Sequence, residues 1–357
     1  MKEILIQHIK THPAITTQDI LKLCYQATFG AEHLLMDREK AFLYFDKEWQ
    51  MTPETDEPMV EILSCNYARL NLGAWKRAGL PAEWLFRMFF STASTPSSAT
   101  VADLQSRLEQ VDALTASAQL PFSKAKWDEA CVEYWKMGGG AVHHSEQYRM
   151  IEKPAYRLVH RRYLELIPIL EKIAHVENEK VRTVTVAIDG RAASGKTTLA
   201  DKLAVILDTD VIHMDDFFLP PELRSRERLA QAGGNVHYER FATEVVPYLK
   251  NNASFDYSIF SCQKMQLDGN RTIRASKWRV IEGSYSHHPE LSAYMDVKVF
   301  CTVSSEEQRR RILVRNGEQM AEMFAQRWIP MEEKYFSSYK IKDCSDIIID
   351  TEKGGQI

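Results

Sequence analysis

A chain of 357 residues, 45% of them hydrophobic and 26% charged, has a globular composition and is too long for one ordinary core, so two domains are expected. Its formal net charge of -4 excludes a general electrostatic attraction to nucleic acid or anionic membrane, and any anionic ligand must be held by a local site. No stretch offers the roughly 18 uninterrupted apolar residues of a membrane span, and the six scattered cysteines form no CxxC pair and argue against a disulfide framework.

The opening Met1-Lys2-Glu3-Ile4-Leu5 has neither a basic leader before a long apolar stretch nor a cleavage site, which predicts a cytoplasmic protein with reduced thiols. Residues 1–175 read as a mostly α-helical domain, because segments such as Ile20 to Leu35 and Ala155 to Ile173 space apolar residues three and four apart. Thr16-Thr17-Gln18-Asp19 has capping-box spacing ahead of the first of these. The Pro/Ser/Thr-rich stretch Ser91 to Thr100 and the run Gly138-Gly139-Gly140 interrupt the pattern. A polar stretch from His175 to Arg182 marks the expected domain boundary, with the second domain over 180–357. There, strand candidates at Val184 to Ile188, Val211 to Met214, Arg279 to Ile281, Val297 to Val303 and Ile347 to Ile349 alternate with helical segments. Such alternation predicts an α/β fold, a parallel sheet flanked by helices.

Gly190-Arg191-Ala192-Ala193-Ser194-Gly195-Lys196-Thr197 fits G-x-x-x-x-G-K-[ST] at every fixed position, between a predicted strand and the helical run from Thr198. Glycines let backbone N–H groups curl around a phosphate at a helix N-terminus. Lys196 is then placed to reach the β- and γ-phosphates of ATP, and the Thr197 hydroxyl to ligate Mg²⁺. The second strand runs into Asp215-Asp216-Phe217, putting two carboxylates at the sheet edge where ligands of such folds bind. A carboxylate there can take a proton from an attacking hydroxyl or hold the metal, although an N-cap pair after a strand has the same pattern. Val280-Ile281-Glu282 ends in an acid suited to a Walker B role on Mg²⁺. Arg311 and Arg315, one helical turn apart, can present two guanidinium groups to a phosphate, while a solvated basic face accounts for any single arginine of the run 309–315.

Together the loop, Asp215-Asp216-Phe217, Glu282-Gly283 and the sequence Arg309 to Gly317 resemble the uridine kinase, phosphoribulokinase and pantothenate kinase group of P-loop kinases, over about residues 183–350. The resemblance implies Mg-ATP as cofactor, Asp215 as catalytic base, and Arg311 and Arg315 as lid residues clasping ATP phosphates. Where uridine kinases carry Asn-Phe-Asp-His, with an Asp that helps hold the ribose, this chain has Asn235-Val236-His237-Tyr238. Uridine is therefore an unfavoured acceptor, and a protonated His237 would favour an anionic one. Asp216, His237, Tyr238, Arg240 and Tyr257 are the candidates for the acceptor pocket, and Thr198 joins the nucleotide loop.

The first domain carries polar clusters of its own. His33, His143, His144 and Glu146, with Arg149, Tyr156 and Arg157 near in sequence, are candidates for a metal or anion site, or for helix caps and an interdomain contact. The leading expectation is a kinase acting on a hydroxyl of a small metabolite, with a homodimer open and neither nucleic acid nor membrane as partner. Its rivals are a nucleotide-gated regulatory or scaffold protein and an enzyme with a second activity in the helical domain.

Overall fold

The computed structural model describes residues 2–31, 37–180 and 182–352, and the chain divides into two compact units, Met1–Leu164 and Glu165–Ile357. The first contains α1 (Lys2–Thr11), α2 (Thr17–Phe29), α3 (Arg38–Met51), β1 (Val60–Ile62), β2 (Tyr67–Asn71), α4 (Leu72–Arg77), α5 (Ala82–Ala93), α6 (Val101–Ala116), α7 (Lys124–Lys136), α8 (Glu146–Glu152) and β3 (Tyr156–His160). Local chemistry sets several of the helix starts. The Thr16 amide donates to the Asp19 carboxylate (3.0 Å) ahead of α2, and Thr100 caps α6 at the end of the Ser/Thr-rich break. The triple glycine follows α7, with Gly138 and Gly139 at φ +96° and +65°.

The expected helix from Ala155 to Ile173 is corrected. Its first part is β3, paired antiparallel with β2 in a small sheet of order β1-β2-β3, and a 3-10 segment (Arg161–Leu166) follows it. Apolar spacing over so short a stretch fits either conformation, and the hydrogen-bonding edge of β2 decides.

The second unit contains α9 (Ile167–Glu179), β4 (Val184–Gly190), α10 (Lys196–Leu207), β5 (Val211–His213), α11 (Arg226–Leu229), α12 (Tyr238–Glu244), β6 (Phe255–Ser261), β7 (Gln266–Ile273), β8 (Trp278–Glu282), β9 (Val297–Thr302), α13 (Ser305–Met323), α14 (Ile329–Tyr339) and β10 (Ile347–Asp350). The five strands expected from the sequence form one parallel sheet of order β10-β9-β4-β8-β5. This is an α/β P-loop fold. β4 is its central strand and is buried at every residue, so its carboxyl end delivers the glycine-rich loop to the middle of the sheet edge. The antiparallel hairpin β6–β7 was not foreseen, since β7 is exposed over most of its length and carries no apolar alternation.

The structural boundary precedes the compositional one because α9 buries Ile167, Ile169, Leu170 and Ile173 and packs on β4 and β9. Among the described residues no helix is long and apolar enough to cross a membrane. A fragment of residues 165–357 should therefore be soluble and unfold cooperatively. One of residues 178–357 should aggregate, since it leaves the α9 face of the sheet bare; comparable thermal melts for the two would contradict this packing.

Candidate active site

Gly190 ends β4 at φ +140°, opposite Cys301 of β9, and a Cβ there would lie 2.0 Å from the Cys301 carbonyl oxygen. No side chain fits, so the strand must end in glycine. Gly195, at φ +85°, then turns the chain into α10 and leaves that helix's first N–H groups without intrahelical partners. The loop Ala192–Thr198 lines a cavity of about 660 Å³. Lys196 is folded over the loop and donates to the carbonyl oxygens of Gly190 (2.8 Å) and Arg191 (2.9 Å), while the buried Ser194 hydroxyl has no partner among the described residues.

Two carboxylates face this loop. Glu282 ends β8 in register with His213, whose Nδ1 donates to Glu282 Oε1 (2.6 Å); that bond, more than any other effect, raises the histidine pKa. Thr197 Oγ1 donates to the other oxygen (3.2 Å). Asp215 stands on the cavity wall, exposed to the cavity yet flanked by protein on several sides. It has no hydrogen bond or ion pair with any described residue. Burial raises its pKa and the Glu282 charge adds to this, with Lys196 opposing. Asp216 is committed elsewhere: it accepts from Tyr257 Oη (2.8 Å) and Arg271 Nε (3.1 Å) and does not line the cavity.

α13 supplies Arg311, which donates to Ala193 O (3.3 Å), Thr351 Oγ1 (2.9 Å) and Glu307 Oε1 (2.8 Å), and Arg315, which donates to Asn316 Oδ1 (2.9 Å). Both line the cavity. Gly317, at φ +78°, breaks the helix, and the turns beyond it bring Met320, Phe324 and Trp328 to the same cavity.

The other four acceptor-pocket candidates do not line the cavity either. Tyr257 is buried under Asp216; Arg240 lies over the Phe217 ring (4.2 Å) and bonds Ser258 O (2.5 Å); Tyr238 stacks on His288 and takes a bond from Arg228 (2.7 Å). His237 heads α12, and burial lowers its pKa, as do Arg240 and Arg228, so the protonated form invoked for anionic acceptors is disfavoured. From the segments around these candidates, Phe218, Arg224, Asn235 and Cys262 line the cavity instead. Gly190 and Arg191 also stand outside the lining, where Arg191 ties the loop to Glu333 (3.0 Å).

His213 and two acids also support the site, outside the motifs legible in the sequence. Glu332 of α14 accepts from the Ala192 amide (2.9 Å) and the Ser284 hydroxyl (2.7 Å), and Asp189 lies buried behind Gly190. An acid closing an apolar strand was a visible signal for Asp189. Glu332 had none.

In the first unit, His33 lies outside the described residues. His144 meets Asp19 and Tyr156: its Nδ1 donates to Asp19 Oδ1 (2.9 Å) and its Nε2 accepts from Tyr156 Oη (2.7 Å). Burial takes its pKa down to about 4, which keeps the ring neutral. His143, Glu146 and Arg149 are exposed and Arg157 pairs with Glu48 (2.8 Å), so among the described residues His143, His144 and Glu146 form no metal-ligand group.

No family model matches the chain. It is 26% identical over 175 residues to a cytidylate kinase of Pyrobaculum arsenaticum, a match covering 47% of this chain and 84% of that protein. Among solved structures it is similar to a possible uridine kinase from Bacillus stearothermophilus (19% identity, 52% of this chain, 100% of that one, TM-score 0.37). It is also similar to a protein assigned as a fructose transport system kinase from Silicibacter sp. TM1040 (21% identity, 53% and 98%, TM-score 0.42).

Gly190→Ala should lower stability by about 1–3 kcal/mol, the usual cost of forcing a side chain into a strained backbone region. Denaturant melts check this, and an unchanged midpoint would mean that β4 and β9 approach less closely than described.

Proposed function

We propose that the second unit transfers the γ-phosphoryl group of Mg-ATP to a hydroxyl of a small metabolite, with Asp215 as general base. The observation that carries this reading is Asp215 itself, a carboxylate without a partner in the same cavity as the phosphate loop. A nucleotide-gated switch has no use for such a group.

The residues present suit the cofactor. A hydroxyl and a carboxylate, Thr197 and Glu282, make an all-oxygen donor set of the kind Mg²⁺ takes, directly or through water. The amides at the start of α10 suit phosphate oxygens. Bound there, Mg-ATP supplies the transferable phosphoryl group, its charge partly neutralised by the metal. Lys196, which donates to two loop carbonyls, would hold phosphate oxygens there, and Arg311 and Arg315 of α13 would balance the same charge. Asp215 takes the proton that the acceptor hydroxyl loses as it attacks. His213 holds Glu282 in place and stays outside the proton transfer.

One finding favours a second acceptor class. The relative from Pyrobaculum is named for cytidylate, a nucleotide that bears a phosphate, and Arg224 lines the same cavity as Asp215. A phosphate acceptor needs no base.

Asp215→Asn separates the two. It should lower kcat by about 10²–10⁴-fold with ATP affinity unchanged, and Lys196→Ala should abolish transfer in a folded protein. Because the base works only when deprotonated and its pKa is raised, wild-type kcat should fall as pH drops through a value above the ordinary aspartate range. Full turnover by Asp215→Asn would favour the phosphate acceptor.

A further inference from the structure

We propose that His8, His12 and Glu61 of the first unit form a binding site for one divalent transition-metal ion of the zinc type. The three offer a set of ligand atoms that all lie within 4.8 Å of one another. Their convergence follows from local structure. His8 is on the buried face of α1; His12, one residue past the helix end, keeps its amide bonded to the His8 carbonyl (2.9 Å), so the two rings stay one turn apart with centroids 4.6 Å from each other. Glu61 is the middle residue of β1 and the cross-strand partner of Arg69.

Neighbouring groups orient each ligand. His12 Nδ1 donates to Glu152 Oε2 (3.2 Å), and the other oxygen of Glu152 is fixed by the Ala14 amide (3.0 Å). This leaves His12 Nε2 facing Glu61 Oε1 (3.4 Å), the arrangement in which a carboxylate behind a histidine sets the tautomer that binds metal. His8 Nδ1 reaches the same Glu61 oxygen. Arg69 Nη1 donates to Glu61 Oε2 (3.1 Å) while its other nitrogens donate to Gln26 Oε1, so Oε1 of Glu61 is the oxygen left to the two imidazoles.

Two carboxylates against one guanidinium leave the cluster a net negative charge to set against a dication. His8 is 2% exposed, whereas His12 and Glu61 are 24% and 30% exposed, which gives an ion a route from solvent and leaves room for water as a further ligand. Two imidazole nitrogens with one carboxylate select zinc, cobalt or iron over magnesium and calcium, which take oxygen donors. A purely hydrogen-bonded cluster would use the same contacts, and metal titration separates the two.

The test uses the full chain, stripped with a chelator and titrated with Co²⁺ in saturating Mg²⁺, so that the phosphate-loop site is not counted. One equivalent should produce a visible absorption band of low-symmetry Co²⁺, and one equivalent of Zn²⁺ should remove it. His12→Ala and Glu61→Gln should lose the band while keeping the far-ultraviolet dichroism of the wild type. Glu152→Gln, which touches no metal, should weaken Co²⁺ binding by about 10–100-fold. Absence of the band in the wild type, or its survival in either folded ligand variant, would overturn the site. Should both ligand variants misfold, unchanged Co²⁺ affinity in Glu152→Gln would overturn it equally.

Discussion

The second unit is organised around one buried carboxylate. Asp189, fully enclosed at the end of β4, accepts from the amides of Gly190 (2.7 Å), Tyr285 (3.2 Å) and His287 (3.0 Å) and from the Tyr335 hydroxyl (2.8 Å). A buried charge is tolerated only when such donors replace its lost water. Here they come from the phosphate loop, the segment after β8 and α14, so solvating Asp189 fixes all three relative to one another. Glu332 repeats the device one step further out, joining the Ala192 amide to Ser284. These bonds tie the curve of the loop to the segment after β8 and to α14.

On that frame the adjacent acids Asp215 and Asp216 divide two tasks. Asp216 is bound by Tyr257 and Arg271 and anchors the hairpin β6–β7 against the sheet. Asp215 is held on the same short turn, but its carboxylate remains free within the cavity. Chain geometry explains the difference, since neighbouring residues on a tight turn point apart. In the proposed reaction a base spending its lone pairs on structural bonds would lose basicity, and the Asp215 carboxylate is the one of the two that is not so engaged.

What the sequence disclosed follows the range of the interactions concerned. Gly190 to Thr197 was legible because its spacing is local and lies between a recognisable strand and helix, and Asp215 and Glu282 were legible as acids closing apolar strands. The resemblance points to His237, and Tyr238, Arg240 and Tyr257 follow it as acceptor-pocket candidates, yet Arg240 and Tyr257 pack around Phe217 and Asp216 and Tyr238 stacks on His288. Glu332 acts on an amide 140 positions away, and no local pattern encodes that. In the first unit, β3 took its conformation from β2, and the pairing of His8 and His12 with Glu61 depends on a fold that helical periodicity did not reveal.

The central claim concerns where the phosphoryl group goes. Incubating the protein with ATP labelled in the γ-phosphate and a panel of nucleosides, sugars, vitamins and nucleoside monophosphates, then identifying the labelled product, tests it most directly. The account predicts a labelled phosphate ester on a hydroxyl acceptor; label appearing only on the phosphate of a nucleoside monophosphate would contradict it.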